Sequence, residues 1–249
     1  MPVPTPPEFD RLRVVLVDAR NPLNIGAAAR AMSNFGFLRL RVVNPYERAF
    51  REARSAVGAA SVLAEAEEFN TVAEAVADCA LIVGTTAIGH RVVQHPLQRL
   101  QEGAALIRQR LALGNVALLF GSEKFGLSNE DLAHCHWLLH IPTRDEHRSM
   151  NLGQAVAVCL YEVAREGNAP SSIGALVPEE ETPASAGEID RMAQVLLEAL
   201  RISGYEIPGT AGTTERKLHR LLRRMNLQRS DTDLWLGMFR QILWKLKDN

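Results

Sequence analysis

The chain has 249 residues, enough for one large domain or for an ordinary domain with an appendage. Hydrophobic residues make up 47% and charged residues 23%, which excludes a disordered, collagen-like or coiled-coil chain. The net charge of −1 gives no outward sign of a nucleic-acid partner.

From residue 11 to about 165, short apolar runs alternate with helical patterns. Residues 14–17, 38–43, 80–83, 116–120 and 137–141 read as strands, and 25–35, 71–78, 96–113, 129–135 and 152–165 as helices. Strands alternating with helices predict an α/β fold with a parallel sheet, and strands lacking polar alternation predict helices on both faces. Residues 167–187 hold Pro170, Pro178 and Pro183 and the acidic run Glu179, Glu180, Glu181, the composition of a flexible linker. Beyond it, Ile189, Met192, Leu196 and Leu200, then Leu218, Leu221, Leu222 and Met225, then Leu234, Met238, Ile242 and Leu246 recur at helical spacing. The predicted division is therefore 1–166 as an α/β domain, 167–187 as linker and 188–249 as a small all-α extension.

No apolar run approaches the roughly 18 residues of a membrane span. Cys79, Cys135 and Cys159 are odd in number and widely spaced, which suits a reducing compartment rather than a disulfide framework. The proline-rich start, 1–7, lacks the charged and apolar regions of a signal peptide, so cytoplasmic residence is expected.

Charge is unevenly shared. From residue 211 onward nine basic side chains stand against four acidic ones, a net of +5, which leaves −6 for the rest of the chain. A basic tail is the electrostatic footprint of a phosphate-rich partner, and equally of a solvated helix face.

In an open parallel sheet, ligands bind beyond the carboxyl ends of the strands. The loops there lack the glycine fingerprints of dinucleotide and nucleoside triphosphate sites, and no G-x-S-x-G elbow occurs. His134-Cys135-His136 with His140 lacks the spacing of a zinc site, and no C-x-x-C pair is present, so no metal is predicted. Ser128, with Asp131 three residues on, reads as a helix cap.

Three groups of residues occur in order: Asn24-Ile25-Gly26 with Arg30; Phe120-Gly121-Ser122-Glu123 with Gly126-Leu127; and Ile141-Pro142 with Ser149-Met150-Asn151-Leu152. Together they resemble the motifs of the SpoU/TrmH branch of SPOUT RNA 2′-O-ribose methyltransferases. The likeness spans roughly residues 11–165. The Gly84-Thr85-Thr86-Ala87 loop and the helical extension make it most similar to the TrmJ type. The resemblance implies a C-terminal trefoil knot in the sheet, a homodimer with the site completed across the interface, and S-adenosylmethionine as methyl donor. It implies transfer to the ribose of cytidine or uridine 32 in the tRNA anticodon loop. A ribosomal RNA target or a non-catalytic RNA-binding factor of the same fold remain as alternatives.

By the same resemblance, Arg30 is the catalytic arginine, supported by Asn24. A guanidinium is too weak an acid to act as a base, which favours binding the target phosphate and stabilising charge on the 2′-oxygen. The ordinary alternative is a helix arginine paired with Asp18. Glu123 orders the loops or the substrate, and Ser149 or Asn151 orients the ribose or caps the next helix. The cofactor residues implied are Thr85, Thr86, Ala87, Gly121, Ile141, Arg148, Ser149 and Met150, with glycine at 121 allowing close backbone approach to the ligand. The RNA-binding residues expected are Arg30 and, on the tail, Arg220, Arg223 and Arg224. Two departures fall where substrate would be met: Ile88-Gly89-His90 intervene before a basic Arg91, and Arg148 stands before the motif serine where a small residue is usual.

Overall fold

The computed structural model describes residues 6–46, 59–87, 95–165, 182–205 and 211–248. Seven strands form one sheet: β1 (Leu12–Val17), β2 (Arg39–Val43), β3 (Glu67–Phe69), β4 (Leu81–Thr86), β5 (Leu97–Arg99), β6 (Val116–Phe120) and β7 (Trp137–His140). Their spatial order is β3-β2-β1-β6-β4-β7-β5 and every pairing is parallel. All carboxyl ends therefore lie along one edge.

Successive side chains on a strand point to opposite faces, and both faces are buried here. Val14, Leu16, Leu118 and Phe120 pack with α1 (Pro22–Phe35), α2 (Ala60–Ala64), α4 (Leu100–Leu111) and α6 (Leu152–Ala164). Val15, Val17, Ala117 and Leu119 pack with α3 (Val72–Ala75) and α5 (Asn129–Ala133). The predicted parallel α/β sheet with helices on both faces is what forms.

Two edge strands were not predicted. In β3 (Glu67, Glu68, Phe69) two of three residues are charged, and it is held because Arg41, buried within β2, pairs with Glu67 at 2.7 Å and with Asp78. β5 covers the first residues of the predicted helix 96–113, which instead begins at Leu100. Three residues are too few for a period of two to show. The predicted helix 71–78 is shorter, Val72–Ala75, and Thr71 caps it through a capping box with Glu74.

The extension consists of α7 (Ala186–Ile202), α8 (Ala211–Arg224) and α9 (Arg229–Lys247). Its own small core contains Ile189, Met192, Ala193, Leu222 and Leu227. The predicted linker lies outside the described residues as far as 181. Its last residues, 182–187, are anchored rather than free: the N–H groups of Ala184, Ala186 and Gly187 donate to the carbonyls of Leu227, Cys79 and Ala77. Thus α7 starts two residues before the predicted boundary at 188, with Ser185 as its cap. The three cysteines are free and buried. Among the described residues no helix is long and apolar enough to cross a membrane.

Candidate active site

The loops after β4, β6 and β7 converge on one cavity of about 330 Å³, within the range of small-molecule sites. Its walls include Thr85 and Thr86 at the end of β4 with Ala87 just after it, Gly121 and Glu123 from the loop after β6, and Ile141, Arg148, Ser149 and Met150 from the loop after β7. All eight residues expected to meet the cofactor line this one space. Leu127, Leu132, Leu139 and Leu152 give it an apolar floor.

Several of these residues also hold the site together. The Thr85 hydroxyl donates to the Leu119 carbonyl at 2.9 Å, so it ties β4 to β6. Gly121 has a reason within the chain to be glycine: a Cβ there would collide with the backbone of Gly126 and Leu127. Ser128 caps α5 and closes a capping box with Asp131, as read from the sequence. Residues 88–91, where the family pattern changes, lie outside the described residues.

One hydrogen-bonded chain joins the three motifs. The Asn151 side-chain amide donates to Asn24 Oδ1 at 2.8 Å, and Asn24 Nδ2 donates to Glu123 Oε1 at 3.0 Å. Glu123 also accepts the backbone N–H groups of Arg20 and Asn21, each at 3.2 Å. The carboxylate thus sits at the N-terminus of α1, where the helix dipole favours negative charge. Partial burial alone would raise its pKa, but the Asn24 amide and these N–H groups hold it below the usual carboxylate value. With these contacts made, Glu123 is an anchor for the first motif rather than a free base. Asn151 takes the expected capping role, its Oδ1 accepting the Gln154 N–H at the start of α6, while its amide reaches Asn24.

Arg30 is exposed on α1, six residues or about 240° of turn beyond Asn24, and is not among the cavity-lining residues. Nor does it hold Asp18, which accepts instead from Arg20 at 3.1 Å and Asn44 at 2.6 Å. Within a single chain, then, the structure gathers every motif except its arginine.

The tail arginines divide. Arg224 is exposed and Arg220 half-buried. Arg223 is fully buried, and its Nη2 donates to Asp190 at 2.6 Å, which corrects the expectation that it meets RNA. His219 shares the same carboxylate at 3.1 Å, and His134 of the α/β domain lies against His219 with ring centroids 5.8 Å apart. The histidines singled out in the sequence are structural: His136 is buried with Nδ1 accepting the Ile82 N–H at 3.0 Å. Burial first, with Arg223 nearby, pushes the pKa of His136 down to about 3 and of His134 to about 4. Among the described residues no three His, Cys, Asp or Glu side chains group as a metal site. Sequence reasoning assigned no role to Lys124 and Phe125, which both line the cavity.

The SpoU rRNA methylase family matches residues 11–161. The chain belongs to this family. Among its relatives, the tRNA (cytidine/uridine-2′-O-)-methyltransferase TrmJ of Escherichia coli strain K12 is 33% identical over 97% of this chain and 98% of its own. TrmJ of Sodalis glossinidius is 32% identical over 93% of this chain and 91% of its own. The crystal structure of TrmJ from Z. mobilis ZM4 superposes with a TM-score of 0.79 at 33% identity, covering 92% of this chain and 98% of that one. This SpoU-family chain is accordingly an enzyme of the methylase class.

Proposed function

We propose that this enzyme transfers a methyl group from S-adenosylmethionine to the ribose 2′-hydroxyl of a pyrimidine in tRNA, at nucleotide 32 of the anticodon loop. The observation that carries this reading is the convergence of three motif loops on one cavity, tied together by Asn151, Asn24 and Glu123. The residues fit the methyl donor: Leu127, Leu139, Ile141 and Leu152 offer apolar surface to a purine, and Thr86 and Ser149 offer hydroxyls to a ribose. Bound S-adenosylmethionine supplies an electrophilic methyl group on a sulfonium, so transfer is an in-line displacement. Ser149 and the adjoining loop then fix where the ribose oxygen approaches, and alignment of this kind removes much of the barrier.

The reading includes a homodimer in which a second copy brings Arg30 to the cavity, where its charge stabilises the developing 2′-oxyanion. In support, α6 carries a single charged side chain, Glu162, its Ala157 and Val158 are only partly buried, and Tyr161 is 53% exposed. A helix this apolar calls for cover on its outer side. Leu23, at the start of α1, the helix that packs against α6, is 80% exposed. The reading also includes the trefoil knot, a methyltransferase part at 1–166 with a helical extension at 188–249, and cytoplasmic residence alongside tRNA. The exposed Arg224 and the half-buried Arg220 are the tail residues assigned to phosphate binding.

Incubation of the purified protein with labelled S-adenosylmethionine and either unmodified tRNA or ribosomal RNA tests this. Ribose methylation of tRNA alone is expected. Labelling of ribosomal RNA alone would replace the substrate, and labelling of neither would leave an RNA-binding factor without turnover.

A further inference from the structure

We propose that Lys124 and Phe125 form a handhold for the target nucleotide, the Phe125 ring stacking on its base while the Lys124 ammonium takes an adjacent phosphate. This rests on the methyltransferase reading above and adds to it a recognition element.

Phe125 is 75% exposed although it lies between residues that line the cavity. Slack in the loop does not account for that. The Phe125 N–H donates to Ser122 Oγ at 3.3 Å, and the Gly126 N–H donates to the Ser122 carbonyl at 2.8 Å. Ser122 and Gly126 form an antiparallel bridge, Gly126 adopts φ +66°, and Leu127 is buried at 3% exposure. The backbone is thus closed on itself and pinned at its end, and it holds a large apolar ring out in water. An apolar side chain kept exposed by a tightly built turn is poised for a contact.

The chemistry of the neighbourhood says which contact. Lys124 Nζ lies 5.0 Å from the Phe125 ring centroid, so a cation and an aromatic face are presented together. Glu123, the residue before them, is the anchor of the motif network. A ribose whose 2′-oxygen enters the cavity must belong to a nucleotide drawn out of its neighbours' stack, and such bases are taken up on aromatic side chains with basic groups on the backbone. Stacking reads the face of a base and not its hydrogen-bonding edge. A site of this kind accepts cytosine and uracil alike.

The full-length protein tests the proposal through Phe125→Ala, Phe125→Tyr and Phe125→Leu, each measured for unmodified tRNA binding by filter retention, for KM and kcat, for cofactor binding by calorimetry, and for oligomeric state by sedimentation. Phe125→Ala is expected to weaken tRNA binding and raise KM for tRNA by about five- to hundredfold, with any change in cofactor affinity smaller than that in tRNA binding and the oligomeric state unchanged. Phe125→Tyr restores binding, whereas Phe125→Leu, which keeps apolar bulk without a π face, does not. Full rescue by leucine, or loss of the dimer in the alanine variant, would assign the ring to a protein interface and overturn the proposal, as would tRNA binding untouched by any variant. If the wild type binds tRNA through Phe125 without methylating it, the activity reading falls and the handhold stands.

Discussion

The Asn151, Asn24, Glu123 chain at the cavity and the Asp190, His219, Arg223 cluster in the extension are both polar networks, but they manage charge in opposite ways. The first is open to solvent and has one charged member, which partial burial opposes and three N–H donors plus a helix N-terminus support. The second encloses a guanidinium completely: Arg223 is 0% exposed, its Nε and Nη1 have no partner among the described residues, and Asp190 is the carboxylate that answers it. A network with shared donors holds the motif loops together at the cavity. A buried charge with one counter-ion fastens helices, here α7 to α8, and faces His134 of the α/β domain.

The sharpest way to break this contrast is Asp190→Ala. It leaves the Arg223 charge buried and unpaired, for which a loss of about 3–5 kcal/mol of stability is expected. Chemical denaturation of wild type and variant checks it; a loss under about 1 kcal/mol, the ordinary worth of an exposed pair, would show that Arg223 escapes to water and belongs with the surface arginines after all.

Arg30→Ala addresses the open site. On the proposed role, in which the charge acts only on the developing oxyanion, its removal is expected to lower kcat by about 10²–10³ while cofactor affinity stays nearly intact. Single-turnover kinetics with calorimetry separates these, and equal loss of both would make Arg30 a structural side chain.

Titration distinguishes the two regions next. His134 and His136 have folded pKa values of about 4 and about 3 against 6.5 for a free histidine. Between those limits the unfolded chain binds more protons, so stability is fullest above pH 6.5 and falls as pH drops, by up to about 1.4 kcal/mol per unit for each histidine. His134→Gln should make the fall between pH 6.5 and 4 shallower. Glu123 has its window lower: its depressed pKa stabilises above the unfolded carboxylate value near 4.5, and that contribution disappears as pH falls through the folded value.

The smallest effect expected is on the tail surface. Replacing Arg220 and Arg224 by Ala should flatten the salt dependence of RNA binding, by about 0.7–0.9 in slope for each phosphate no longer neutralised. An unchanged slope would remove the extension from the RNA interface.

Much of this was legible in the sequence where the signal is local. The central strands read as apolar runs because both their faces are buried, and the Ser128 cap was visible because its partner lies three residues away. The loops that line the cavity were readable as a group because they follow strands whose carboxyl ends share one edge, and the residues within them came from the family resemblance. What failed depends on distant partners. Nothing near Arg223 announces Asp190, 33 residues earlier, so an arginine in a basic helix looked like surface. The Gly121 requirement comes from Gly126 and Leu127 folding back upon it, which spacing alone does not show. Strand β3 depends on Arg41 reaching across from β2, and a charged triplet carries no strand pattern of its own. The exposed ring of Phe125 could have been suspected only from its place between a motif glutamate and a motif glycine.

The central claim is that the gathered loops perform ribose methylation on tRNA. Mapping 2′-O-methyl groups nucleotide by nucleotide, on unmodified tRNA incubated with the purified protein and S-adenosylmethionine, tests it most directly. A single new modification on the ribose of the pyrimidine at position 32, formed at least about a hundredfold more slowly with Arg30→Ala, is the result predicted; methylation of a base, or of no nucleotide in tRNA, would contradict it.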